Sequence, residues 1–124
     1  MNAAQLIGSG MLRIDLDAIA RNWTALDKIS PGALTGAVVK ANAYGLGLEP
    51  VARTLANAGA QFFFVANPEE ALILRQALPN VHIFVLGGLW PGTSELYAER
   101  RLMPVLHSMG MLDEWLNFYV QRGE

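Results

Sequence analysis

Short apolar runs rich in β-branched and aromatic residues recur along this chain at a near-constant interval, with helix-patterned segments between them. The runs are Ala37-Val38-Val39, Phe62 to Ala66, Val81 to Leu86 and Leu102 to Leu106. Their centres, near Val38, Phe64, Phe84 and Val105, lie about 20 to 26 residues apart, the length of one strand-plus-helix unit. Strands that are apolar throughout, joined by amphipathic helices, specify a parallel sheet covered on its faces. Two architectures satisfy that pattern, an open doubly wound sheet and a (β/α) barrel. A complete eightfold barrel takes about 250 residues, and this chain has 124. Four units are half of such a barrel, and the chain stops after a helix at Gln121-Arg122-Gly123-Glu124 with no closing signal. The expectation is a piece of something larger.

Local signals divide the chain further. Leu12-Arg13-Ile14-Asp15-Leu16 alternates apolar and polar residues, the period of a half-exposed strand. Asp17 is placed to cap a helix with Ile19, Trp23, Leu26 and Ile29 on one stripe, stopped by Ser30-Pro31-Gly32. Leu48 to Ala58 reads as a helix that admits Pro50 in its first turn and stops at Gly59. Asn67-Pro68-Glu69-Glu70 starts another: a capping side chain, a proline at the first position, then acids on the positive end of the dipole. That helix carries Leu72, Arg75 and Leu78. Gly87-Gly88 is a turn, Pro91 to Arg101 a further helix, and Ser108 caps a last one holding Met111, Leu112, Trp115 and Tyr119. The expected organisation is an N-terminal strand and helix over 1–33 and four βα units over 34–124.

Composition removes several functional classes. Hydrophobic residues make up 52% and charged residues 16%, which excludes a disordered segment. With no cysteine there is neither a disulfide framework nor a thiolate nucleophile. The net charge is −2 with scattered Lys and Arg, so the basic footprint of a nucleic-acid binder is missing. No apolar run approaches a membrane span, and Met1 to Leu12 has no leader pattern. A soluble cytoplasmic protein with a small-molecule ligand is expected, with no nucleic-acid or membrane partner.

In parallel βα arrays ligands gather at the carboxyl ends of the strands. Four such places exist: Lys40 to Gly47, Asn67, Gly87-Gly88 and His107-Ser108. Lys40 follows directly on Ala37-Val38-Val39, and an amine leaving a buried strand either snorkels to solvent or is used. A partly desolvated amine loses affinity for its proton and can then condense with a carbonyl. Tyr44 places a hydroxyl four residues on, within reach of a phosphate oxygen, and Gly45 and Gly47 allow backbone N–H groups to approach a ligand. His82 and His107 stand apart with no acidic cluster, so no metal site is expected. Glu69 and Glu70 read as helix-dipole partners, and Trp23, Trp90 and Trp115 as core or contact surface.

The run Ala37-Val38-Val39-Lys40-Ala41-Asn42-Ala43-Tyr44-Gly45-Leu46-Gly47 resembles the pyridoxal-phosphate attachment segment of the alanine racemase family. Arg13-Ile14-Asp15-Leu16-Asp17-Ala18-Ile19 with Asn22, Val51-Ala52-Arg53, Glu69-Glu70-Ala71 and Val85-Leu86-Gly87 are similar to other parts of its pattern. Many members carry histidine where this chain has Leu46, which leaves that loop without an imidazole. The resemblance implies an α/β fold that is the first half of a (β/α)8 TIM-like barrel, preceded by one strand and helix. It implies a racemase interconverting L- and D-alanine for cell-wall synthesis, with pyridoxal 5'-phosphate as cofactor. Lys40 would hold the cofactor and serve as one of two bases, and Tyr44 would bind its phosphate. The second base belongs to a C-terminal β-domain in the partner subunit of a homodimer, so this segment alone is expected to be inactive. A non-catalytic pyridoxal-phosphate-binding protein, a decarboxylase of the same fold and a ligand-free βα fragment are the competing readings.

Overall fold

A computed structural model describes residues 10–123. Residues 1–9 and Glu124, and with them the beginning of the expected N-terminal unit, lie outside the described residues.

Helix α1 (Leu16–Ile29) begins where Asp15 accepts a hydrogen bond from Ala18 N at 2.9 Å. Asp15, not Asp17, is therefore the cap, and Asp17 sits in the first turn beside the positive end of the dipole. The strand expected over Leu12 to Leu16 does not form. No strand of the sheet pairs with this segment, and Met11 and Leu12 are 88% and 76% exposed. Alternation without a neighbour to take the backbone groups does not make a strand, whereas the Asp15 cap satisfies an orphan donor locally.

Strands β1 (Gly36–Val38), β2 (Phe62–Val65), β3 (His82–Val85) and β4 (Leu102–Pro104) form one parallel sheet in sequence order. Between β1 and β2 come a single turn α2 (Lys40–Tyr44) and helix α3 (Leu48–Asn57); α4 (Pro68–Ala77), α5 (Ser94–Glu99) and α6 (Met109–Arg122) follow the other strands. Asn67 and Ser108 cap α4 and α6 as the sequence predicts, accepting from Glu70 N and Met111 N. The helix expected from Pro91 starts only at Ser94, because residues 90–93 close a turn through Thr93 N to Trp90 O.

One face of the sheet is buried: Ala37, Val39, Phe63, Val65, Ile83, Val85 and Leu102 are each at most 4% exposed. Against it lie Val51, Ala52 and Leu55 of α3, Ala71 and Leu74 of α4, and Tyr97 of α5. At roughly 25 cal/mol per Å² of apolar surface, this layer dominates the stability of the unit. Helix α1 packs outside it on α3 and buries no residue fully.

The other face is uncovered, where sequence patterning predicts cover on both. Pairing register puts Val38, Phe64, Phe84 and Met103 in one row across it, with Gly36, Phe62 and His82 in the row below. Phe64 stacks on Phe84 with centroids 4.8 Å apart, and Phe62 on His82 at 4.9 Å. Gly36 leaves room for this row, since a Cβ there would lie 2.7 Å from the Phe64 ring. Strands with two apolar faces look alike in sequence whether or not a second layer is at hand. Among the described residues no second layer exists.

Candidate active site

Lys40 begins α2 at the carboxyl end of β1 and is half-buried. Val39 still belongs to the ladder, donating to Phe64 O at 2.9 Å, and it is buried like Ala37. The extended run ends there, since Val39 has φ −122° and ψ 20°, and Lys40 stands at the point where the chain leaves the sheet.

The chain then turns left-handed. Ala41, Asn42 and Ala43 have φ, ψ near +52°, +49°, +54°, +46° and +52°, +49°, and Tyr44 has φ +55°. This conformation costs an L-residue about 1–2 kcal/mol, so other bonds must hold it. Ala43 N donates to Val39 O, Gly45 N to Ala41 O, Leu46 N to Ala43 O and Gly47 N to Asn42 O, all between 2.9 and 3.1 Å. Gly45 and Gly47 follow at φ +85° and +101°, the glycine role expected at those positions. Asn42 Oδ1 accepts from Leu48 N at 2.8 Å and so caps α3. Ala43 is buried, whereas Tyr44 is 64% exposed.

The other strand ends lie beside this turn in a bonded series. Glu70 accepts from Asn42 N through Oε1 and from Ala66 N through Oε2, each at 2.9 Å. Ala66 O in turn accepts from Gly87 N at 2.9 Å, and His107 Nε2 lies 3.4 Å from Gly87 O. The ends of β1, β2, β3 and β4 are thus joined through Asn42, Glu70, Ala66, Gly87 and His107. Lys40, Tyr44, Gly45 and Gly47 come together in one turn; Asn67, Gly87-Gly88 and His107-Ser108 border the same end of the sheet. His82, stacked on Phe62, is on the uncovered face near the opposite end of its strand. No group of three His, Cys, Asp or Glu side chains capable of holding a metal exists among the described residues. No helix among them is long and apolar enough to cross a membrane.

Two residues do more than sequence reasoning assigns them. Glu70 is a dipole partner by position, yet its carboxylate bonds across to the lysine turn. Arg75 lies at the far end of α4, where Nε donates to Arg100 O at 2.9 Å, Nη1 to Val81 O at 2.7 Å and Nη2 to Arg101 O at 2.8 Å. Partial burial, and secondarily the Arg101 guanidinium, hold its pKa below the usual arginine value. The partners of both side chains are backbone atoms, some of them 25 to 28 residues away, and backbone atoms leave no residue pattern to find. The Asn67-Pro68-Glu69-Glu70 start and the family resemblance of Glu69-Glu70-Ala71 single out Glu70 in the sequence, but neither predicts its bond to Asn42.

The sequence matches the family model for the alanine racemase N-terminal domain over residues 14–124. It is 42% identical over 119 residues to an alanine racemase of Rhizobium meliloti, covering 96% of this chain and 31% of that protein. The fold superposes with a TM-score of 0.87 on the crystal structure of alanine racemase from Bartonella henselae with covalently bound pyridoxal phosphate. That pair is 38% identical, over 90% of this chain and 33% of the other. A histidine racemase from Leuconostoc mesenteroides is similar at TM-score 0.75 and 29% identity, over 87% and 29% of the two chains. The chain spans about a third of the length of these relatives. The four parallel strands and their helices correspond to the N-terminal half of the alanine racemase barrel. The resemblance carried by the lysine segment therefore extends through sequence and fold alike, and the chain belongs to the alanine racemase family.

Proposed function

We propose that this chain is the cofactor-bearing N-terminal part of a pyridoxal-phosphate-dependent racemase that interconverts L- and D-alanine. The observation that carries the reading is the position of Lys40: a half-buried residue at the carboxyl end of the first strand, at the start of the left-handed turn. Its chemistry suits the cofactor. An amine can take the aldehyde, the Tyr44 hydroxyl can donate to a phosphate oxygen, and the open face offers apolar surface for a ring. When bound, pyridoxal phosphate supplies an electron sink for the charge left when the substrate Cα loses its proton.

Every other role falls to residues. Lys40 would hold the cofactor and would take or return the Cα proton on one face. Tyr44 would bind the phosphate end. The left-handed turn sets the distance between these two groups, and that pre-organisation is what a 1 Å error would damage. Inversion of configuration needs a second base on the opposite face of Cα, and no residue of this chain is assigned to it. The two thirds of the relatives' length not matched here supplies that base, from the partner subunit of a homodimer. A cytoplasmic location and a supply of D-alanine for cell-wall synthesis complete the reading.

An alanine racemisation assay tests it. A longer polypeptide carrying this segment should interconvert the enantiomers and lose at least about 10²-fold in rate with Lys40→Arg, while these 124 residues alone should be inactive. Parent-like turnover by the segment alone, or by the Lys40→Arg variant, contradicts it.

A further inference from the structure

Glu70 is the third residue of α4 after the Asn67 cap, where a glutamate ordinarily closes a capping box by reaching back to the cap residue's own N–H. Half of that box is present, since Glu70 N donates to Asn67 Oδ1 at 2.9 Å. The carboxylate goes elsewhere. One oxygen takes the N–H of Ala66, directly after β2, and the other takes the N–H of Asn42, 28 residues away in sequence. Asn42 is the second of the four left-handed residues that follow Lys40. The N–H groups of Ala43, Gly45, Leu46 and Gly47 find acceptors within residues 39–43, but that of Asn42 is answered from α4. With its side chain capping α3, Asn42 is pinned from two directions.

We propose that Glu70 is a positioning residue for Lys40, a carboxylate tether that holds the left-handed turn against β2 and so fixes where the amine leaves the sheet. This rests on the reading of Lys40 as the cofactor attachment amine. The tether requires two acceptor oxygens at glutamate length. A glutamine keeps one acceptor and turns an NH2 group toward the other backbone N–H, and an aspartate is one methylene short of spanning both. Glu70 touches no reacting atom and acts only through the backbone that carries Lys40.

The test compares this chain with Glu70→Gln and Glu70→Ala, using Glu69→Gln as the neighbouring control. Amide hydrogen exchange, read without cofactor, should speed up about tenfold in peptides covering residues 40–47 and in the one containing Ala66, and nowhere else. Titration with pyridoxal phosphate, read by absorbance and by borohydride trapping on Lys40, should show apparent affinity weakened about tenfold in both Glu70 variants. Glu69→Gln should match the parent in both. If Glu70→Ala fails to fold, Glu70→Gln, which preserves size, decides. Exchange and affinity within about twofold of the parent in Glu70→Gln overturn the proposal, as does faster exchange spread evenly over the chain, the mark of ordinary destabilisation. If the parent forms no adduct at Lys40, the cofactor reading fails and the exchange pattern alone decides whether the tether exists.

Discussion

At the scale of single residues, the lysine turn combines an ordinary signal with an extraordinary backbone. Gly45 and Gly47 announce positive φ by their identity, and both have it. Ala41, Asn42, Ala43 and Tyr44 announce nothing of the kind. Alanine prefers the right-handed region, so their left-handed course is imposed by Glu70, by the Asn42 cap on α3 and by the burial of Ala43. Such strain concentrates where geometry must be held for function. Tyr44, 64% exposed, adds little to the core, so the backbone of the turn is what sets its position. Replacing it with phenylalanine should weaken binding of pyridoxal phosphate by about tenfold, the worth of one hydrogen bond to a charged group. Binding of pyridoxal, which lacks the phosphate, should not change. Parallel titrations of the two ligands followed by absorbance check this, and equal losses for both would contradict the assigned role.

Elements were readable in proportion to how local their determinants are. Asn67 and Ser108 cap helices because a short polar side chain can satisfy the next turn by itself, and those starts agree with the sequence. The segment around Leu12 failed because a strand exists only through a neighbour. Joints between elements are equally unreadable when a side chain meets backbone carbonyls. Arg75 ties α4 to the chain ahead of β3 and to the loop between α5 and β4. Arg75→Ala should cost about 2 kcal/mol in chemical denaturation, and Arg75→Lys should recover less than half of that, because one ammonium cannot span the same carbonyls. At the opposite end Tyr97, fully buried, donates its hydroxyl to Gly88 O at 2.7 Å and holds α5 against the turn after β3. Burial, and secondarily Glu69, raise its pKa from 10.0 to about 12. The folded state therefore keeps a proton that the unfolded chain gives up first. The resulting stabilisation is whole below pH 10 and is lost as pH rises toward 12. Stability measured by denaturation from pH 9 to 12 should fall less steeply for Tyr97→Phe than for the parent chain; parallel curves would contradict this.

For the whole molecule, periodicity was enough to reveal four parallel βα units in order, because the spacing of apolar runs survives any local ambiguity. Periodicity could not say how many layers cover the sheet. The face with Val38, Phe62, Phe64 and Phe84 is uncovered, both edge strands end the ladder, and α6 leaves Met109, Leu116 and Val120 at 69%, 52% and 72% exposure. Apolar surface and free strand edges on this scale favour association. Sedimentation of the isolated chain should show concentration-dependent self-association, and a monomer at all concentrations would count against it. The cofactor site depends on one amine. The chain has two lysines, and Lys28, exposed in the last turn of α1, is an internal control for Lys40. Incubation with pyridoxal phosphate, reduction with borohydride and mass mapping of the peptides should place the pyridoxyl group on Lys40 and leave Lys28 essentially unmodified. Equal labelling of both lysines, or labelling of Lys28 alone, would contradict the account.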